Sequence, residues 1–310
     1  MSAPAERCVV FSCGGSRLVG VVHGTHAAAA GIGVLVIVGG PQYRVGSHRQ
    51  FVLMARSLAA SGYPVMRFDY RGMGDSEGEF RGFEHVAEDV QAAIEAFVVA
   101  VPSVSHVVLW GLCDGASAVA MQGMADRRLS GMVLVNPWVR TASGEAKAYV
   151  QQYYARRLLQ GSFWKKLLSG RLQILRSVRE FVTALYRARQ APGDASNAAL
   201  PFIERMRRGI AACERPILLL ISGRDLTAAE FVALTRDDAA WSGLLARANV
   251  SLVRLEEADH TFSSRTALER AVGACCDWLD RLRALLEASA GGGASARSFL
   301  SAREDGVRCR

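Results

Sequence analysis

Apolar and polar positions change their period several times along this chain, and each change marks an element. Cys8-Val9-Val10-Phe11 and Arg17-Leu18-Val19-Gly20-Val21-Val22 flank Gly14-Gly15-Ser16, which predicts a β-hairpin over residues 7–22. Gly33-Val34-Leu35-Val36-Ile37-Val38 is continuously apolar and rich in β-branched residues, as in strands covered on both faces of a parallel sheet. A loop, Gly39-Gly40-Pro41-Gln42, follows, and Phe51, Leu53, Met54 and Leu58 then recur at helical spacing from about Arg49 to Ala60. Tyr63–Phe68 reads as a strand ending at Asp69, residues 69–78 as a glycine-punctuated loop, and Phe83–Ala100 as a helix. Next come a strand over His106–Trp110, a small-residue helix from Asp114 to about Ala125, and a strand over Ser130–Val135 that stops at Asn136-Pro137-Trp138.

Strand and helix alternate throughout this stretch. That order predicts an α/β fold with a doubly wound, mostly parallel sheet and right-handed crossovers, preceded by the antiparallel hairpin. The alternation breaks over residues 140–209. There Trp164, Leu167, Leu168, Leu172, Leu175, Val178, Phe181, Val182 and Leu185 recur mostly at three and four, which is helical. Ala191–Asn197 reads as a linker. Alternation resumes with strands at Pro216–Ile221 and Val250–Leu255 and a last helix from about Ser264 to Ala288. The expected organisation is a core over 1–139 and 210–290, a helical basic cap over 140–209, and a flexible tail over 291–310 that begins with three glycines.

Composition narrows the class. The chain has 310 residues, half of them hydrophobic, which suffices for a large core. No apolar run approaches the ~20 residues of a membrane helix, and Met1–Arg7 leads into a strand without a secretory pattern. The expectation is a cytoplasmic protein. Seven cysteines at irregular spacing, with no C-x-x-C, indicate neither a disulfide framework nor a zinc site. His23 and His26 have H-x-x-H spacing but no accompanying ligand set, so neither a metal nor any other cofactor is expected. The net charge of +8 is uneven: residues 140–209 hold 14 Lys/Arg against four Asp/Glu.

The candidate chemistry begins at Gly111-Leu112-Cys113-Asp114-Gly115, directly after an apolar run. This has the spacing of the G-x-S-x-G nucleophile elbow, with cysteine in place of serine. In that motif a strand turns sharply into a helix, and the flanking glycines leave no Cβ to collide with neighbouring backbone. A structural cysteine in an ordinary strand–helix turn is the alternative. A nucleophile needs a base, and the base an orienting group. Asp225 follows the strand at 217–221 and His260 follows the strand at 250–255, giving the chain order nucleophile, acid, base. In an open parallel sheet the carboxyl ends of the strands share one edge, so Cys113, Asp225 and His260 are expected to converge. Asp114 is a rival for the acid, but its place at the start of the helix suits it to capping. The helix start and a nearby imidazolium favour the thiolate of Cys113. Donors for the oxyanion are expected from the N–H of Asp114 and from Gly40 or Gln42, since Pro41 has none. His48, His85 and His106 read as surface or strand-edge residues.

With these residues the chain resembles an α/β-hydrolase over residues 7 to 288, the insertion apart. Asp69-x-Arg71-Gly72-x-Gly74-x-Ser76-x-Gly78 resembles the loop after the fourth strand of that fold. Gly39-Gly40-Pro41-Gln42-Tyr43-Arg44, the elbow, and Ala258-Asp259-His260-Thr261-Phe262 resemble the hydrolases associated with exosortase A systems in exopolysaccharide-making bacteria. Cysteine at the elbow is also similar to dienelactone hydrolases. The resemblance implies a hydrolase acting on an ester or thioester through an acyl-cysteine, and a setting linked to exopolysaccharide.

The insertion occupies the position where this fold often carries a cap. Tyr149, Tyr153, Tyr154, Phe163 and Trp164 suit an acyl pocket, with Trp164 and Tyr153 as substrate-binding candidates, or else pack the cap onto the core. The basic residues suit an anionic substrate, an acidic polysaccharide or a membrane surface, or form a solvated face. No nucleic-acid-binding module accompanies them. Three readings stand: a Cys-dependent esterase or thioesterase acting on a small-molecule, lipid or saccharide acyl substrate; an acyltransferase with the same residues; and a non-catalytic member of the fold that binds or assembles. The sequence does not set the oligomeric state.

Overall fold

The computed structural model describes residues 5–24, 31–39, 43–122, 126–139 and 201–290. Eight strands form one sheet: β1 (Glu6–Cys13), β2 (Ser16–His23), β3 (Ile32–Ile37), β4 (Val65–Asp69), β5 (His106–Leu112), β6 (Leu129–Val135), β7 (Ile217–Arg224) and β8 (Val250–Asp259). Their order across the sheet is β1-β2-β4-β3-β5-β6-β7-β8. β1 and β2 are the antiparallel hairpin, β2 runs antiparallel to β4, and every later pairing is parallel. The doubly wound sheet and its hairpin are as the residue pattern implies.

The continuous apolar strands divide their side chains between two layers, as a period of two requires. Leu35, Ile37, Leu109, Leu134 and Leu219 face one layer. Val34, Val36, Val108, Trp110, Val133 and Leu218 face the other. The first layer is covered by α2 (Ala87–Ala100), α3 (Asp114–Gln122), α4 (Phe202–Ala212), α5 (Leu226–Asp237) and α6 (Ala239–Leu245), through Phe97, Val119, Met206, Phe231 and Trp241. The second is covered by α1 (Gln50–Ala60) and α7 (Arg265–Ala290), through Phe51, Leu58, Trp278 and Leu282. Full burial of each such side chain is worth about 1.5–3 kcal/mol, so both layers hold the strand ends in place. Among the described residues no helix is long and apolar enough to cross a membrane.

Three helices depart from the expectation. Most of α4 lies in the segment assigned to the cap, yet Met206 and the adjoining Ile210 are buried in the core, and a Cβ on Gly209 would strike the main chain of Ala120. The core therefore resumes at Phe202 rather than at 210. Arg207 and Arg208, counted as part of the basic segment, pair with Glu204 on the outer face of that helix. α5 and α6 begin at Asp225 and Asp238, whose carboxylates accept from Thr227 N (2.9 Å) and Ala240 N (2.8 Å) in the manner of N-caps. By its contacts the chain divides into Met1–Val139 with Phe202–Arg310, and Arg140–Pro201. Residues 140–200 and 291–310 lie outside the described residues.

Candidate active site

β5 ends at Leu112 and α3 begins at Asp114, so Cys113 carries the whole change of direction. Its φ of 60° is left-handed, an uncommon conformation for a residue with a Cβ and one that clusters at functional sites. The turn closes only because its neighbours lack side chains. A Cβ on Gly115 would lie 2.5 Å from Ile37 O, and one on Gly111 would meet the Gly115 carbonyl. The Cys113 N–H donates to Val135 O (3.0 Å), and its carbonyl accepts from Ser117 N (3.1 Å) and Trp138 N (3.2 Å). The thiol is half-buried.

Asp225 follows β7, and His260 follows β8. β7 and β8 slip in register between Ser222 and Arg224, and Gly223 passes so close to Glu256 that a Cβ would fall 2.7 Å from its Cα. Asp225 lies just beyond this irregularity. His260 Nδ1 donates to Asp225 Oδ2 at 2.7 Å while Asp225 Oδ1 accepts from Thr227 N. One buried carboxylate thus caps α5 and orients the imidazole. The bond to Asp225, and after it one to the Cys113 side chain, hold the imidazolium and push His260 up to about 10 against the effect of burial. Sulfur, imidazole and carboxylate from three crossover units come together at one edge of the sheet.

Asp114 is the first residue of α3. Its Oδ1 lies where a Cβ on Gly39 would be, so its carboxylate faces the turn after β3, and the imidazole pairs with Asp225 instead. Gly40, Gln42, Tyr153 and Trp164 lie outside the described residues. His23 is wholly buried and accepts from Arg67 Nε at Nε2 (3.0 Å), with burial pushing it down to about 4. His26 lies outside the described residues. His106 opens β5 against Ser130 Oγ (2.9 Å), and His48 and His85 are exposed. Among the described residues no three His, Cys, Asp or Glu side chains cluster as metal ligands would.

The loop after β4 braces the turn after β3. Asp69 accepts from Arg44 N (2.7 Å) and pairs with the Arg44 guanidinium, which also reaches Asp75 (2.8 Å). Gly74 (φ 50°) lies where any Cβ would strike the Asp69 carboxylate. The Asp-x-Arg-Gly-x-Gly pattern therefore serves as scaffold.

Residues 33–258 match the family described as Hydrolase_4, serine aminopeptidase S33. The chain belongs to that family of hydrolases. In fold it is an α/β-hydrolase. The esterase Pf2001 of Pyrococcus furiosus is similar with a TM-score of 0.60 and 16% identity, over 90% of this chain and 93% of its own. Est1E from Butyrivibrio proteoclasticus, solved with ferulic acid, gives 0.57 and 15% over 89% and 99%. A thermophilic esterase from Thermogutta terrifontis, solved with malate, gives 0.53 and 22% over 90% and 99%. At these identities the likeness is one of fold. No curated protein matches the sequence. In this S33 hydrolase the elbow position carries sulfur.

Two supporting residues escaped the reading of the sequence. Asn136 and Ser222 exchange hydrogen bonds between the ends of β6 and β7. The only sequence signal was the stop at Asn136-Pro137, which marks an end of strand and not a partner.

Proposed function

We propose that the protein hydrolyses an ester or thioester through an acyl-cysteine on Cys113, with His260 as acid and base and Asp225 as its orienting carboxylate. The observation that carries this reading is the 2.7 Å bond between His260 Nδ1 and Asp225 Oδ2, with the Cys113 side chain near enough to the imidazole to help raise it. The Cys113 sulfur adds to the carbonyl carbon. The tetrahedral adduct collapses with cleavage of the bond to the leaving oxygen or sulfur, which takes the proton from His260. The neutral imidazole then removes a proton from water, hydroxide adds to the thioester, and the sulfur leaves as the acid product departs. The N–H of Asp114, at the helix start, is the first oxyanion donor in this reading, with Gly40 or Gln42 as the second. Esterase names among the fold neighbours support an ester substrate. The likeness of Gly39–Arg44, the elbow and Ala258–Phe262 to the exosortase-associated hydrolases supports a setting linked to exopolysaccharide.

The test is a panel of p-nitrophenyl esters and acyl thioesters, assayed with the wild type, Cys113→Ala and Cys113→Ser. Wild-type turnover that iodoacetamide abolishes, and that Cys113→Ala lacks, is the expected result. Turnover untouched by alkylation overturns the reading. Equal turnover in Cys113→Ser would make the sulfur incidental.

A further inference from the structure

The triad reading requires the nucleophile turn and the acid turn to keep a fixed separation. One short segment, residues 135–138, touches both. On the nucleophile side, Val135 O accepts from Cys113 N (3.0 Å) and Trp138 N donates to Cys113 O (3.2 Å), so the residue is gripped at both its peptide groups. Ser117 Oγ, one turn into α3, donates to Trp138 O (2.6 Å). On the acid side, Asn136 N donates to Leu220 O (3.0 Å), and Nδ2 donates to Ser222 Oγ (2.9 Å). Asn136 Oδ1 accepts in return from Ser222 N (2.8 Å). Ser222 stands where β7 slips its register against β8, three residues before Asp225.

Asn136 is wholly buried and left-handed, with φ 45°. That conformation is costly for most L-residues, and asparagine is among the few that tolerate it. Glycine would reach it at less cost. Glycine, however, offers no amide, and only a side chain with both donor and acceptor can close the reciprocal pair with Ser222. The position thus asks for two properties at once, a backbone that turns left and an amide that reaches the neighbouring strand end.

We infer that Asn136 is a positioning residue, whose bridge from the Cys113 turn to the Ser222–Asp225 turn sets the distance between the sulfur and the His260–Asp225 pair. The inference rests on the triad reading. Its test uses Asn136→Gly, which keeps the left-handed turn and removes both side-chain bonds. Ser222→Ala removes the Oγ acceptor and leaves the bond from Ser222 N. For each variant kcat and KM on p-nitrophenyl butyrate, the pH profile of Cys113 alkylation by iodoacetamide, and the melting temperature are measured.

Asn136→Gly lowers kcat roughly 10- to 100-fold while KM stays within about twofold, as a misplaced catalytic pair requires. Its alkylation profile moves towards that of His260→Ala. Ser222→Ala moves both in the same direction by less. A melting temperature that falls while kcat and the alkylation profile match the wild type overturns the inference, because the bridge is then structural only. If Asn136→Gly does not fold, an unchanged kcat and profile in Ser222→Ala overturn it equally. Should the wild type cleave no ester, the triad reading fails on its own, and the alkylation profile still decides the role of Asn136.

Discussion

At Cys113 the chain is held chiefly by main chain, whereas at Asp225 and His260 it is held by side chains. The elbow depends on Gly111 and Gly115 passing against backbone and on peptide groups bonding to Val135, Ser117 and Trp138. The Asp225–His260 pair depends on one carboxylate shared between Thr227 N and the imidazole. A turn held chiefly by main chain, with Ser117 Oγ as a supporting donor, fails first through an added Cβ. A turn built from side chains can be weakened one bond at a time while the fold stands.

Gly115→Ala breaks this comparison with the largest effect. The added Cβ falls 2.5 Å from Ile37 O and 3.0 Å from Gly39 N, both main chain and unable to swing away. Turnover is lost together with about 3 kcal/mol of stability, read from a urea unfolding midpoint. A variant with wild-type stability and activity would show that the elbow has slack.

Asp225→Asn comes second. The amide oxygen still accepts from Thr227 N, so the cap on α5 survives. The imidazolium loses its carboxylate, and kcat falls roughly 10²- to 10⁴-fold. Steady-state kinetics beside a melting curve check this. A large loss of melting temperature with kcat intact would reverse the roles given to the two oxygens.

The smallest effect is on stability against pH. His260 is raised in the folded protein to about 10, from an ordinary value of about 6.5 in the unfolded chain. Its contribution is fully present below the unfolded value and is lost as pH rises through the folded one. The gap in unfolding free energy between wild type and His260→Gln therefore narrows from pH 6 to pH 10. A gap that does not change with pH would remove the charged pairing from the account.

The same contrast sets how much could be read from the sequence. Cys113, Asp225 and His260 were legible because each stands just beyond an apolar run, and parallel strands bring such ends to one edge. The elbow glycines were legible because close approach leaves only one residue type. Asn136 was not, since nothing in the periodicity tells that its amide reaches Ser222, 86 residues away. α4 was hidden by counting charge instead of faces: Phe202, Met206 and Ile210 form a helical stripe, while Arg205, Arg207 and Arg208 occupy the rest. The sequence signal of α5 and α6 is the pair of caps, Asp225 and Asp238, at their starts. Asp225 both caps α5 and orients His260, and a residue with two tasks shows only one of them to a motif.

The central claim is a covalent bond to one sulfur. His260→Gln keeps the nucleophile but has no base for the second half-reaction, so acylation by an activated ester outruns hydrolysis of the thioester. Intact-mass and peptide mass spectrometry of this variant after reaction with p-nitrophenyl butyrate test the claim directly. The account predicts a butyryl adduct on Cys113 that hydroxylamine removes. An adduct at another residue with Cys113 unmodified, or none at all while the wild type turns over the same ester, would contradict it.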